Sequence, residues 1–169
     1  MISLRAMEPD DLDLLYKVEN DQELWEVGAT NVPYSKALLR DFIMNATGDI
    51  YTDKQVRLIV EDDFGNVVGL VDLVNFNPRH LRAEVGIVVL KNYRNQGIAT
   101  EVLAKLTSYA SDFLHLRQLY ACIDAGNEVS LRLFKKSGFI ESGTLHQWLR
   151  AKEGYHKAIL MQYLCVNNC

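Results

Sequence analysis

Residues 83–111, AEVGIVVLKNYRNQGIATEVLAKLTSYAS, constrain the fold more than any other stretch of the chain. Val85 to Leu90 are β-branched and apolar apart from one glycine, which favours a buried strand. From Ile98 onward, apolar residues recur at helical spacing: Ile98, Val102, Leu103, Leu106, Tyr109 and Ala110. Between strand and helix lie Arg94-Asn95-Gln96-Gly97-Ile98-Ala99. A loop that ends a strand and opens a helix directs several unpaired backbone N–H groups at one point, and the helix adds about half a positive charge there. Phosphate binds at such points. Gly97 lets the chain approach a bulky anion, Ala99 keeps the first helical turn slim, and Arg94 can donate a forked hydrogen bond to phosphate oxygens. An ordinary strand-to-helix turn would use similar residues, so the loop alone does not decide. Two better known phosphate loops are absent: no G-x-x-x-x-G-K-[ST] occurs, and no G-x-G-x-x-G follows a strand.

A chain of 169 residues is long enough for one domain with a proper core and short for two, so residues 1–169 read as a single domain. The net charge of −4 is unevenly spread: Glu8, Asp10, Asp11, Asp13, Glu19, Asp21, Glu23 and Glu26, then Glu61, Asp62 and Asp63, crowd the first half. That balance argues against nucleic acid or an anionic membrane as partner and is compatible with a cationic substrate, although single carboxylates also serve as solvated helix faces. The start, MISLRAMEPDDLD, lacks a basic residue run followed by an apolar one, and no stretch approaches eighteen uninterrupted apolar residues. A cytoplasmic location is the expectation. Cys122, Cys165 and Cys169 are odd in number and form no C-x-x-C, so reduced thiols without catalytic duty are expected. His80, His115, His146 and His156 show no ligand spacing, and no metal site is expected.

Along the chain, Ile2 to Arg5 alternate as a first strand, and Pro9-Asp10-Asp11 opens a helix that fades near Asn20. Residues 21–34, with Gly28, Asn31 and Pro33, read as irregular, and Ser35 caps a second helix reaching Asn45. From Gln55 the period becomes two, with a hairpin turn at Asp62–Asn66 and another turn at Asn77-Pro78-Arg79. After the long helix come a strand at 118–123, a helix at 128–136 capped by Asn127 and ended by Gly138, and two strands joined at Lys152-Glu153-Gly154, the last running from Tyr155 to Cys165. The order is β-α-α-β-β-β-α-β-α-β-β, one mixed α/β domain.

Arg94-x-x-Gly97-x-Ala99 fits the pattern [QR]-x-x-G-x-[GA], and with Glu84, Thr100-Glu101, Asn127-x-x-Ser130, Lys136-x-Gly138-Phe139 and Gly154-Tyr155 the chain resembles the GNAT acetyltransferases. Within them it is most similar to the branch of spermidine and ribosomal-protein acetyltransferases, over residues 55–164. The resemblance implies a mostly antiparallel twisted sheet, flanked by helices and splayed at the site of acetyl-CoA. It also implies that main-chain groups of Ile87, Val88 and Val89 pair with the pantetheine arm, one N–H facing the thioester oxygen. Arg94, Asn95, Gln96, Gly97, Ile98, Ala99 and Thr100 would hold the pyrophosphate. Asn127 and Ser130 would reach the far side of the arm, and Arg132, Lys135 or Lys136 the remaining phosphate; Asn127 is equally a plain helix cap, and the lysines ordinary helix-end cations.

The implied reaction is attack of a primary amine on the thioester. Such an amine is neutral in about one molecule in 2,500 at pH 7, so a base is needed. Glu84 is the first candidate, its position in the polyamine branch lining the substrate end; a structural Glu paired with an Arg is the competing role. Asp72 and His80 are weaker candidates. Where many members carry a tyrosine that protonates the departing thiolate, this chain has Phe134. Ser130, Ser137, Tyr120 or water would have to replace it. The acceptor is expected to be a polyamine or similar small amine, with a protein N-terminus as the alternative, because Thr30–Lys36 stand where polyamine enzymes bring acids. A non-catalytic acyl-CoA sensor is the reading of another class that Phe134 motivates. The branch often forms dimers and larger rings, which makes a homo-oligomer compatible.

Overall fold

The period-two stretch after Gln55 folds into the middle of a seven-stranded sheet. A computed structural model of the chain describes residues 1–25 and 30–165, so Glu26, Gly28 and Cys169 of the expectations above lie outside the described residues. The strands are β1 (Ile2–Ala6), β2 (Val56–Asp62), β3 (Val67–Asn77), β4 (Arg82–Val89), β5 (Gln118–Asp124), β6 (Ile140–Ala151) and β7 (Gly154–Leu164), in the spatial order β1-β2-β3-β4-β5-β7-β6. Every neighbouring pair is antiparallel except β4 and β5. The helices are α1 (Leu12–Glu19), α2 (Gln22–Trp25), α3 (Lys36–Asn45), α4 (Ile50–Asp53), α5 (Ile98–Asp112) and α6 (Glu128–Lys136).

Alternation along the strands sends two sets of side chains to two helical layers. On one face, Ala83, Val85, Leu119, Ala121 and Ile123 share a core with Val102, Leu103, Leu106 and Ala110 of α5 and Phe134 of α6. Each large apolar side chain buried there contributes about 1.5–3 kcal/mol. On the other face, Val18 of α1 packs on Ile59 and Leu70, while Leu15 packs on Leu39 and Ile43 of α3.

Local chemistry fixes the helix ends. Ser35 Oγ accepts from Leu38 N–H, and Asn127 Oδ1 accepts from Ser130 N–H. Gly138, at φ 92°, ends α6 where an added Cβ would lie 3.2 Å from the Tyr163 ring. Three expectations need correction. Residues 21–34 are not wholly irregular: α2 forms there, and the Trp25 indole N–H donates to Glu19 O at 2.8 Å, tying that turn to the end of α1. The short helix α4 had no apolar period to announce it; Asp49 caps it, accepting from Tyr51 N–H, and Lys54 in the left-handed region ends it. The last strand stops at Leu164 rather than Cys165.

A half-buried ion pair anchors β1 to the turn that starts α1. Arg5 donates to both carboxylate oxygens of Asp11, at 2.7 and 2.9 Å, and Glu8 N–H donates to the same group at 2.7 Å. The Asp11 side chain is 8% exposed, and hydrogen bonding from Arg5 holds its pKa below the usual range. Asp11→Ala should cost about 1.5–3 kcal/mol, because Arg5 loses two charge-assisted hydrogen bonds while keeping its bond to Glu61 at 2.6 Å. The sign follows from the depressed folded pKa: the stabilisation stands above the unfolded carboxyl value of about 4 and is lost as pH falls through the folded one. Urea unfolding of both forms at pH 7 and near pH 3 checks this; the gap between them should narrow at the lower pH.

Candidate active site

The one parallel pairing in the sheet lasts three rungs: Arg82 with Gln118, Ala83 with Leu119, and Glu84 with Tyr120. Beyond that point β4 continues on β3 as far as Val89, and β5 continues on β7 as far as Asp124, but the two no longer meet. A V-shaped gap opens with Glu84 and Tyr120 at its apex.

Main-chain direction alternates along a strand, so three hydrogen bonds decide what faces the gap. Leu90 N–H donates to Val68 O on the β3 side at 2.9 Å. On the β5 side Leu81 O accepts from Arg117 N–H at 2.7 Å, and Val89 O accepts from Arg94 Nε at 2.9 Å. The odd-numbered residues Val85, Ile87 and Val89 therefore turn their main chain to the gap. Gly86 and Val88 turn theirs to β3, and the Val88 side chain packs beside Val18, Ile59 and Leu70. Of the three residues implied to meet a pantetheine arm, the structure brings two, Ile87 and Val89, to the gap by their main chain.

The mouth of the V is closed by the loop before α5. Gly97 is the N-cap residue at φ 79°, Asn95 precedes it at φ 61°, and no side chain caps the helix. The N–H groups of Ile98, Ala99 and Thr100 consequently have no helical acceptor. A Cβ placed on Gly97 would meet no atom within 4 Å, so the loop borders open space. Arg94, whose Nε is held by Val89 O, keeps the rest of its fork of donors for another acceptor. Gln96 Nε2 donates to Asn92 O at 3.0 Å. An uncapped 15-residue helix, an open glycine and a guanidinium at the end of a parted strand fit a diphosphate joined to an extended arm.

On the far wall, Asn127 caps α6 through its Oδ1 and Ser130 stands in the first turn, half-buried. Lys136 is exposed at the end of that helix, and its neighbour Lys135 pairs with Glu141 at 3.0 Å. Phe134 points inward, 4% exposed, with its ring 4.9 Å from that of Phe139 in an edge-on contact. Ser137 Oγ donates to Leu133 O at 2.9 Å, which occupies its proton.

Glu84 accepts a 2.7 Å hydrogen bond from Asn75 Nδ2 and has no salt bridge among the described residues, so no Arg claims it. Tyr120 and Cys122 lie on the same face of β5; burial, and then the charge of Glu84, raise both pKa values and keep both groups protonated. Asp72 is committed elsewhere. Arg57 donates to its two oxygens at 2.6 and 2.9 Å and to Glu19 at 2.6 Å. That ion triad removes Asp72 as a base. His80 is exposed in the β3–β4 turn, with its own N–H on Asn77 Oδ1. At the outer end of β5, Asp124 is bonded to His156 Nδ1 at 2.8 Å and to Gly126 N–H at 2.8 Å, and the bond from His156 holds the Asp124 pKa down. Glu19 and Arg57 also border a cavity of about 840 Å³ between α3 and β2, whose apolar wall includes Tyr34, Leu38 and Phe42.

Sequence reasoning missed Asn75, the Arg57 triad and the Asp124–His156 pair. Asn75 left a signal: buried residues fall at Val71 and Leu73, then at Phe76, so the period of two slips to three where the strand bulges. The triad joins residues 15 and 38 positions apart and left none.

Among the described residues no group of side chains could hold a metal ion, and no helix is long and apolar enough to cross a membrane. A family model described as Acetyltransferase (GNAT) domain matches residues 2–140. Spermidine N(1)-acetyltransferase of Escherichia coli (strain K12) is 29% identical over 160 residues, 95% of this chain and 84% of that protein. The putative ribosomal N-acetyltransferase YdaF of Bacillus subtilis (strain 168) is 28% identical over 170 residues, 96% and 91% of the two chains. The crystal structure of spermidine N-acetyltransferase from Vibrio cholerae in complex with CoA and spermine superposes with a TM-score of 0.86 at 26% identity, covering 96% of this chain and 95% of that one. The parted strands, the uncapped helix and the order of elements agree with the family model that matches most of the chain, and the chain belongs to the GNAT acetyltransferases.

Proposed function

We propose that this acetyltransferase moves the acetyl group of acetyl-CoA to the primary amine of a small acceptor of the polyamine class. The observation that carries the reading is the V between β4 and β5, with a carboxylate at its apex and an uncapped helix at its mouth. The loop 94–100 binds the pyrophosphate through main-chain N–H groups and Arg94. Ile87 N–H is the donor available to the thioester oxygen, where negative charge develops during attack. Glu84, with one oxygen on Asn75, takes the proton from the ammonium through its other oxygen. Asn127, Ser130 and Lys136 lie along the second wall and reach the arm and the outer phosphate. The names of the relatives support the polyamine class.

A peptide or protein N-terminus is the second reading, and a specific observation favours it. Much of the carboxylate charge of this face is already paired: Asp72 and Glu19 share the single charge of Arg57, which leaves that triad at −1, and Asp124 pairs with His156 when that ring is protonated. A face whose described carboxylates are largely paired attracts a string of cations less strongly than one whose carboxylates are free. Release of CoA thiol from acetyl-CoA across spermidine, simple monoamines and N-terminal peptides separates the two. Turnover fastest on spermidine supports the first reading, and turnover confined to peptides supports the second. Binding of acetyl-CoA without turnover on any amine would overturn both and leave a sensor.

Phe134 supplies a further test. Restoring a hydroxyl by Phe134→Tyr should raise kcat several-fold if departure of the thiolate limits the rate, since a general acid contributes about a hundredfold at its least and a thiol of pKa near 8.5 already leaves tolerably. Unchanged kcat, together with a lower melting temperature from an unpaired buried hydroxyl, would mean that another group or water gives the proton.

A further inference from the structure

Strand β3 does not run smoothly past the base. Its register on β4 shifts between Val74, which pairs with Glu84, and Asn77, which pairs with Arg82, the mark of a bulge opposite Ala83 and next to Glu84. Asn75 stands in that bulge at φ 52°, a left-handed conformation that costs a residue with a side chain about 1 kcal/mol. Glycine would fill the position without that cost. The bulge is pinned on its other side: Phe76, 4% exposed, donates its N–H to Lys54 O at 3.0 Å, and its ring meets that of Tyr51 edge-on at 5.0 Å. With Phe76 held down in the core, the strained residue beside it has its side chain turned across to β4. Its amide nitrogen meets Glu84 Oε2 at 2.7 Å. Bulges beside active sites commonly serve to re-aim one side chain.

We propose that Asn75 is a positioning residue for Glu84: the bulge presses its amide against one carboxylate oxygen, fixing the rotamer and leaving the second oxygen to receive the proton of the acceptor amine. The inference rests on Glu84 being the base. A neutral donor suits this duty. It gives the carboxylate a hydrogen bond without adding a positive charge that would repel an ammonium. The other polar groups facing Glu84 supply no such hold. Tyr120 and Cys122 on β5 are protonated neutral groups, Asp72 on β3 is occupied by Arg57 of β2, and Arg82 lies on the same strand without a bond to Glu84 among the described residues.

The experiment is a cycle of Asn75→Gly, Glu84→Gln and the double variant, with kcat and kcat/KM followed against pH using acetyl-CoA and the best acceptor amine. Glycine relieves the backbone while deleting the amide, so the melting temperature should hold or rise. kcat should fall about tenfold at pH 7. KM for acetyl-CoA should stay as it was. Asn75→Asp should lower kcat further, because it replaces the donor with a second carboxylate facing the first. In the Glu84→Gln background Asn75→Gly should add no further loss. An unchanged kcat in Asn75→Gly, or an equal loss with and without Glu84, would overturn the positioning role. Wild-type kinetics for Glu84→Gln alone would instead overturn the base beneath it, so the two failures are told apart.

Discussion

Gly97→Val is expected to raise the Kd for CoA by at least a hundredfold while the protein still folds. The residue sits at φ 79° with open space on the side where a Cβ would project. A valine there meets two separate penalties. Its backbone enters the left-handed region, at about 1–2 kcal/mol, which a domain of ordinary stability survives. Its methyls then fill the space in front of the N–H groups of Ile98, Ala99 and Thr100, and a diphosphate can no longer reach them. Losing two charge-assisted hydrogen bonds corresponds to about 3–6 kcal/mol, or a Kd raised by at least a hundredfold. Titration calorimetry with CoA, run beside a thermal melt, makes the comparison. Gly97→Ala, with the same backbone strain and less bulk, should lose less affinity for a similar drop in melting temperature. An unchanged Kd in the valine variant would show that the diphosphate lies elsewhere.

Glu84→Gln is expected to lower kcat by about a hundredfold to ten-thousandfold at pH 7, the span that positioned general bases contribute. The side chain keeps its size and can still bond the amide of Asn75, so the change removes a proton acceptor and little else. The effect has a direction in pH. A primary amine of pKa near 10.4 exists mostly as ammonium at pH 7, and the variant must wait for the rare neutral form. Its rate should therefore climb tenfold per pH unit up to the amine pKa and approach the wild-type rate there. The wild type should instead level off once Glu84 is ionised. A variant with a wild-type profile would exclude Glu84 and direct attention to Tyr120 or to a water.

The parts of this structure that were legible in the sequence are those written by local rules. The 83–111 run yields β4, its loop and α5 because a β-branched strand, a glycine and a 3.6-residue period are each decided by near neighbours. The caps Ser35 and Asn127 could be read for the same reason. The V itself could not be read from Val85 or Ala121. Those residues would look the same in a fully paired sheet, and only the register of β4 on β5 shows where the pairing ends. It entered through a resemblance. The Arg57 triad was illegible because Glu19 belongs to α1 and Asp72 to β3, and ion pairs leave no periodic trace. Asn75 lay between these cases, as a polar residue where a buried one was due, visible once the slip from Leu73 to Phe76 is noticed. The turn α2 was hidden by composition, since four residues between polar neighbours are too few for a period to appear.

The brevity of the parallel ladder has a mechanical side. Four strands stand on one side of three rungs and three on the other, and across the seam beyond those rungs each half offers main-chain groups that no strand satisfies. Such a molecule resembles a book held by a short length of spine. Whatever threads between the leaves completes the stitching, so the acyl carrier is at once cargo and binding thread, and the emptied protein should be the looser of the two volumes.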